Sequence, residues 1–170
     1  MPLSGCGPNR PGLLCGKVSQ GTIVPNPARS GPLVLIVEDD QSTRLMYRDH
    51  LTSRGFRTAD AHNGFQALEK AQELRPDAVV TDLAVPGMDG FEFCRALQRS
   101  PETRDIPILA VTGHPEYLDD PQRLQHAGIS HVLVKPCDPE VIAQELWRML
   151  RNGHFGEPAP VPDLNSGSHR

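Results

Sequence analysis

Six side chains able to do chemistry stand at the carboxyl ends of short apolar runs. Glu38, Asp39 and Asp40 follow Leu33 to Val37, Asp82 follows Ala78 to Thr81, Thr112 closes the run Ile106 to Val111, and Lys135 follows His131 to Val134. In open parallel sheets, ligands bind in the crevice beyond the carboxyl ends of the strands. If these runs are neighbouring strands, Glu38, Asp39, Asp82, the Thr112 hydroxyl and the Lys135 ammonium converge on one crevice. Carboxylates held that close repel one another, at a cost that a cation removes. A hard divalent ion bound by oxygen answers this need. Mg²⁺ (or Mn²⁺) takes one or two carboxylates and keeps several waters, which fits Asp39 and Asp82 as direct ligands and Glu38 acting through water. Each residue also has a plainer reading. The acidic trio suits the first turn of a helix, Lys135 suits a surface lysine lying along apolar stem contacts, and Thr112 suits a strand-end hydroxyl. Asp82 is harder to set aside, because Pro86-Gly87-Met88-Asp89-Gly90 follows it as a turn-rich loop.

Five apolar runs of strand length must position these groups: Leu33 to Val37, Phe56 to Ala59, Ala78 to Thr81, Ile106 to Val111 and His131 to Val134. Between them lie segments with helical spacing, such as Ala67, Leu68, Ala71 and Leu74, or Ile142, Leu146, Met149 and Leu150. Asn63 with Gln66 and Asp89 with Glu92 have the spacing of capping boxes, and Asp138-Pro139 that of an N-cap followed by Pro in the first turn. The first, third and fourth runs are apolar at nearly every position, as in parallel strands covered on both faces. Strand and helix alternating five times predict an α/β sandwich.

Composition sets the boundaries. The chain has 170 residues, 38% of them hydrophobic and 22% charged, which suits one domain with its own core. Met1 to Pro32 holds six Gly, six Pro and no acidic residue, and Asn152 to Arg170 is punctuated by Pro158, Pro160 and Pro162. Both read as disordered tails around a domain over 33–151. Of the net charge of −4, the first tail carries +3 through Arg10, Lys17 and Arg29, which leaves the domain acidic. An acidic domain without a Lys/Arg cluster argues against nucleic acid as its main ligand. The four cysteines, Cys6, Cys15, Cys94 and Cys137, form no CxxC pair and read as free thiols of a reducing compartment. The sequence has no apolar run of membrane-spanning length and no apolar stretch of leader type, so a cytoplasmic location away from membranes is expected.

The stretches LVLIVEDDQSTR (Leu33 to Arg44), VVTDLAVPGMDG (Val79 to Gly90), ILAVTG (Ile108 to Gly113) and VLVKPCD (Val132 to Asp138) together resemble the receiver domain of two-component response regulators. The match covers Leu33 to Arg151, with four motifs in the family's order. The resemblance implies a doubly wound, flavodoxin-like fold: a five-stranded parallel sheet in the order 2-1-3-4-5 with helices on both faces. It implies that Asp82 is the phosphoacceptor, that Glu38 and Asp39 are the acidic metal-binding pair, and that the backbone carbonyl of Ala84 completes the metal shell. Thr112 is then the switch hydroxyl, Lys135 the site lysine, and Lys135-Pro136 a candidate cis peptide. The implied role is signalling rather than enzymatic turnover. A sensor histidine kinase or histidine phosphotransfer protein would donate the phosphoryl group, and an unidentified protein would read the result. The face built from the fourth helix, fifth strand and fifth helix, about Asp120 to Ala127 with Val141 to Leu150, is where such domains dock or form homodimers. Trp147, on that last helix, reads as a partly buried core residue.

Four positions depart from the family pattern. Val132 stands where many receivers carry Tyr or Phe, so the usual aromatic switch partner is missing. Ala84 and His114 occupy the two positions that modulate access of water to the acyl phosphate; Ala84 has no side chain to orient that water, whereas His114 has an imidazole. Glu38 replaces the commoner Asp. A stand-alone receiver is expected, since the residues after Arg151 are too few for an output domain. A pseudo-receiver that binds partners without phosphorylation is the main alternative. A Mg²⁺-dependent aspartyl phosphatase of the haloacid-dehalogenase type would need an Asp at position 84.

Overall fold

The computed structural model describes residues 31–151. Apart from Gly31 and Pro32, the two expected tails lie outside the described residues, as do Cys6 and Cys15. Five strands, β1 (Leu33–Val37), β2 (Arg57–Ala61), β3 (Ala78–Thr81), β4 (Ile108–Thr112) and β5 (His131–Val134), alternate with five helices. The helices are α1 (Gln41–Ser53), α2 (Gly64–Leu74), α3 (Gly90–Arg99), α4 (Pro121–His126) and α5 (Pro139–Arg151), with a 3-10 turn at Pro115–Asp119 before α4. The sheet order is β2-β1-β3-β4-β5 and every pairing is parallel, as expected from the sequence.

Parallel strands need crossovers, and here helices cover both faces with separate apolar layers. Leu35, Val37, Val79 and Ala110 point into one layer with Ala67, Phe91, Phe93 and Leu97 of α2 and α3. Val34, Ile36, Val80, Leu109 and Val111 point into the other, with Tyr47 and Leu51 of α1 and Ile142 and Leu146 of α5. This alternation explains why β1, β3 and β4 are apolar throughout. Each fully buried Leu or Ile contributes about 2 kcal/mol by leaving water. The edge strands β2 and β5 are only half-buried over most of their length, and their sequences are correspondingly mixed. Trp147 packs at the margin of the second layer, its ring 4.5 Å from that of Phe56, in the partly buried core role expected of it. Cys94 and Cys137 are free thiols, and burial pushes Cys94 up to about 12, leaving it a packing group.

Two strands start later than their apolar runs suggest. Phe56 donates its N–H to the Leu51 carbonyl, 3.1 Å away, and so closes α1 rather than opening β2. Gly55 supplies the left-handed residue (φ 89°) that this helix ending requires. Ile106 is likewise spent in a turn, its N–H on the Thr103 carbonyl, and β4 begins only after Pro107. The caps are simpler than the expected boxes. Asn63 accepts from the Gln66 N–H, but the Gln66 side chain accepts from His62 rather than Asn63. Asp89 accepts from Phe91 N–H, one residue earlier than the box spacing with Glu92. Asp138 accepts from Glu140 N–H at the start of α5, as an N-cap should.

Candidate functional site

Register places the site. Val37 pairs with Thr81, so the next residues, Glu38 and Asp82, emerge side by side, with the Asp82 N–H on the Val37 carbonyl at 2.9 Å. Thr112 pairs with Val134, and the Lys135 N–H reaches the Thr112 carbonyl at 2.8 Å. The bond between Lys135 and Pro136 is cis. Lys135 reaches across the strand ends, its Nζ donating to Glu38 Oε2 and to Asp82 Oδ2, both at 2.7 Å. The other Asp82 oxygen, Oδ1, accepts the Ala84 N–H at 2.9 Å.

These groups are largely out of water: Glu38 is 3% exposed and Asp82 8%. Burial raises the Glu38 pKa above the usual carboxylate value, and the bond from Lys135 only partly offsets this. Burial works against the charge of Lys135 too, but there the bonds to Asp82 and Glu38 outweigh it and hold the ammonium above the ordinary lysine range. The triad is therefore a buried ion cluster with one ammonium for two carboxylates.

Asp39 is different. It is solvent-exposed, and among the described residues no three His, Cys, Asp or Glu side chains stand as a metal-holding group. The expected convergence of three carboxylates thus holds for Glu38 and Asp82. Repulsion from that pair favours Asp39 remaining in water. The donor chemistry still suits a hard cation, since every candidate ligand is an oxygen and the cluster lacks one positive charge. Asp40 is the helix cap: its Oδ1 accepts from both the N–H and the hydroxyl of Thr43 at 2.7 Å, and these bonds lower its pKa.

Thr112 is fully buried, and its Oγ1 accepts the His114 N–H at 3.1 Å instead of bonding to the triad. The exposed His114 ring pairs through Nδ1 with Glu116 at 2.9 Å. Beyond it lies an aromatic cluster that the sequence did not disclose. Tyr117 packs edge-on against Phe91 with ring centroids 5.1 Å apart and lies 5.3 Å from the His114 ring. The Arg123 guanidinium sits 3.9 Å over Phe91 and 5.5 Å from Tyr117. Tyr117 and Val132 both pack against the same apolar layer. Arg44 was also missed as a site residue: its Nη1 donates to the carbonyl oxygens of Glu38 (2.7 Å) and Asp39 (3.1 Å), and its Nε meets Asp60 at 3.3 Å. Its only sequence signal was its place at the end of the first motif.

Residues 34–146 match the family model of the response regulator receiver domain. The transcriptional regulatory protein AfsQ1 of Streptomyces coelicolor is 35% identical over 122 residues, 72% of this chain and 52% of its own length. The chain thus spans about half of that relative. Among solved structures, the chemotaxis response regulator CheY4 of Vibrio cholerae superposes with a TM-score of 0.67 at 34% identity, covering 71% of this chain and all of CheY4. The receiver domain of the sensor histidine kinase PA1611 of Pseudomonas aeruginosa, with a magnesium ion coordinated in its active site cleft, gives 0.63 at 28% identity over 70% of this chain and 97% of its own.

Proposed function

Because the chain belongs to the response regulator receiver family, we propose that it is a phosphoacceptor of two-component signalling in which Asp82 takes a phosphoryl group from a histidine. The observation that carries this reading is Lys135 Nζ at 2.7 Å from Asp82 Oδ2 and from Glu38 Oε2, at the ends of neighbouring strands. The donor is a sensor histidine kinase or a histidine phosphotransfer protein, met in the cytoplasm.

An Asp82 carboxylate oxygen attacks phosphorus as the P–N bond of the phosphohistidine breaks, and the departing imidazole nitrogen keeps the electron pair. The transition state spreads negative charge over three equatorial oxygens, so the chain contributes mainly position and countercharge. Asp39, Asp82 and the Ala84 carbonyl, with Glu38 acting through water, would hold Mg²⁺ (or Mn²⁺), and the ion would supply the positive charge that the cluster lacks. The magnesium coordinated in the related PA1611 receiver domain supports this assignment. The Ala84 N–H fixes the Asp82 carboxylate through Oδ1. Phosphorylation turns the Asp82 carboxylate into an acyl phosphate whose negative charge lies on the phosphoryl oxygens, and Lys135 then turns to those oxygens.

Thr112 gives up the His114 N–H and donates its hydroxyl to a phosphoryl oxygen. That exchange reaches the 3-10 turn, where Tyr117 and Arg123 respond in place of an aromatic residue at 132. The altered face of α4, β5 and α5 then receives a downstream protein or a second copy of this chain. Nucleic acid and membrane are not partners of this domain.

Intact-mass spectrometry of wild type and Asp82→Asn, incubated with acetyl phosphate with and without Mg²⁺, tests the assignment. One phosphoryl group gained by the wild type alone, and only with the cation, is expected. No gain in the wild type overturns the reading and leaves a protein-binding module that works unphosphorylated.

A further inference from the structure

The turn between β1 and α1 carries Glu38 and Asp39, and it is clamped from two sides. On one side Asp40 holds Thr43 through both its N–H and its hydroxyl. On the other, the Arg44 side chain folds back from the first turn of α1. Its Nη1 donates to the Glu38 carbonyl at 2.7 Å and the Asp39 carbonyl at 3.1 Å, while Nε engages Asp60 Oδ2 of β2 at 3.3 Å. The Arg44 side chain is only 14% exposed. A guanidinium is a planar fork, and these three acceptors use it as one: two consecutive carbonyls on one nitrogen and a carboxylate on another.

Asp39 itself is exposed, so the backbone of this turn decides where its carboxylate can go. We propose that Arg44 is a positioning residue for the cation site: by gripping the carbonyls of Glu38 and Asp39, and being anchored on Asp60, it sets the turn so that the acidic pair is ready for a divalent ion. This inference rests on the cation reading of the site given above. Lysine cannot replace it. An ammonium on a flexible stem keeps the charge but does not span two carbonyls and the Asp60 carboxylate in a fixed plane. The Asp60 carbonyl accepts from Lys70 Nζ at 2.5 Å, which ties this end of β2 to α2.

Mn²⁺ binding by the full chain, read from the electron paramagnetic resonance of the free ion, tests this directly and needs no phosphoryl transfer. Arg44→Ala and Arg44→Lys are both expected to bind Mn²⁺ about tenfold or more weakly than wild type, the usual effect of removing a residue that orients metal ligands. Asp60→Asn is expected to fall between, and the double variant Arg44→Ala with Asp60→Asn to be no weaker than Arg44→Ala alone, since Asp60 acts through Arg44. Thermal melts without metal separate this from simple unfolding: Arg44→Lys should melt close to wild type yet bind poorly. Wild-type affinity in Arg44→Lys would overturn the proposal, because charge alone would then suffice. Additive losses in the double variant would overturn it as well. Absence of Mn²⁺ binding by the wild type would instead overturn the cation reading itself and this inference with it.

Discussion

Lys135 carries one positive charge between two carboxylates, and the imbalance appears in the ionisation of Glu38. Its folded-state pKa lies above the ordinary value of 4.5, chiefly because it is buried. The folded protein therefore holds the Glu38 proton to a higher pH than the unfolded chain does. As pH rises from 4.5 through the folded value, the folded state binds more protons than the unfolded one and stability falls. Glu38→Gln removes that term. Urea midpoints without metal, measured over a pH series from 4.5 upward, should decline more in wild type than in Glu38→Gln; parallel curves would count against the buried-carboxylate account. The convergence of Glu38, Asp82 and Lys135 was legible in the sequence because their types and strand-end positions already imply a cluster, whereas Asp39, expected beside them, stands exposed. Arg44 was not, because its partners are main-chain carbonyls, which every sequence supplies and none marks.

The elements meet most closely where α3 begins. Gly90 starts that helix directly against the loop that carries Asp82: a Cβ there would lie 2.6 Å from Leu83 Cα and 2.8 Å from the Asp82 carbonyl oxygen. Those are backbone atoms with little room to yield. Gly90→Ala should cost about 1–3 kcal/mol of stability, measured by chemical denaturation, and should slow phosphorylation of Asp82 in the fraction that folds. The ends of the elements were less legible than their kinds. β3 and β5 coincide with their apolar runs, since no neighbouring residue there competes for the strand. β2 and β4 do not, because Phe56 and Ile106 are apolar residues used to finish other structures, a helix ending and a turn. Apolar character predicts that a side chain is covered, and Phe56 is; it does not say which element's hydrogen bonds its backbone completes.

Across the whole domain, order is strongest in the middle of the sheet. β1, β3 and β4 are buried at nearly every position, whereas α4 has no buried residue and β5 is half-buried throughout. Hydrogen exchange should reflect this gradient. Amides of β1 and β3 should exchange only through global unfolding, and those of α4 through local opening, orders of magnitude faster. Equal protection of α4 and β3 would contradict it. The double apolar layer was legible because a parallel sheet obliges β1, β3 and β4 to be apolar on both faces, whereas the strand order came from the family resemblance alone. The aromatic cluster of Phe91, Tyr117 and Arg123 joins α3 to the 3-10 turn and α4, and no periodicity within a single segment reports a contact of that kind.

All five strands run the same way, and Glu38, Asp82, Thr112 and Lys135 stand at their finishing edge. The described chain comes in at the opposite edge, through Gly31 ahead of β1, and leaves there as well: Met149 and Leu150, at the end of α5, line a cavity of about 290 Å³ with Pro76, Asp77 and Pro107, the residues that precede β3 and β4. The domain is in effect a plug with its contacts on one side and its leads on the other. Tethering it by either lead, to a bead, a sensor chip or a second protein, leaves the strand-end edge that carries Asp82 on the side away from the support.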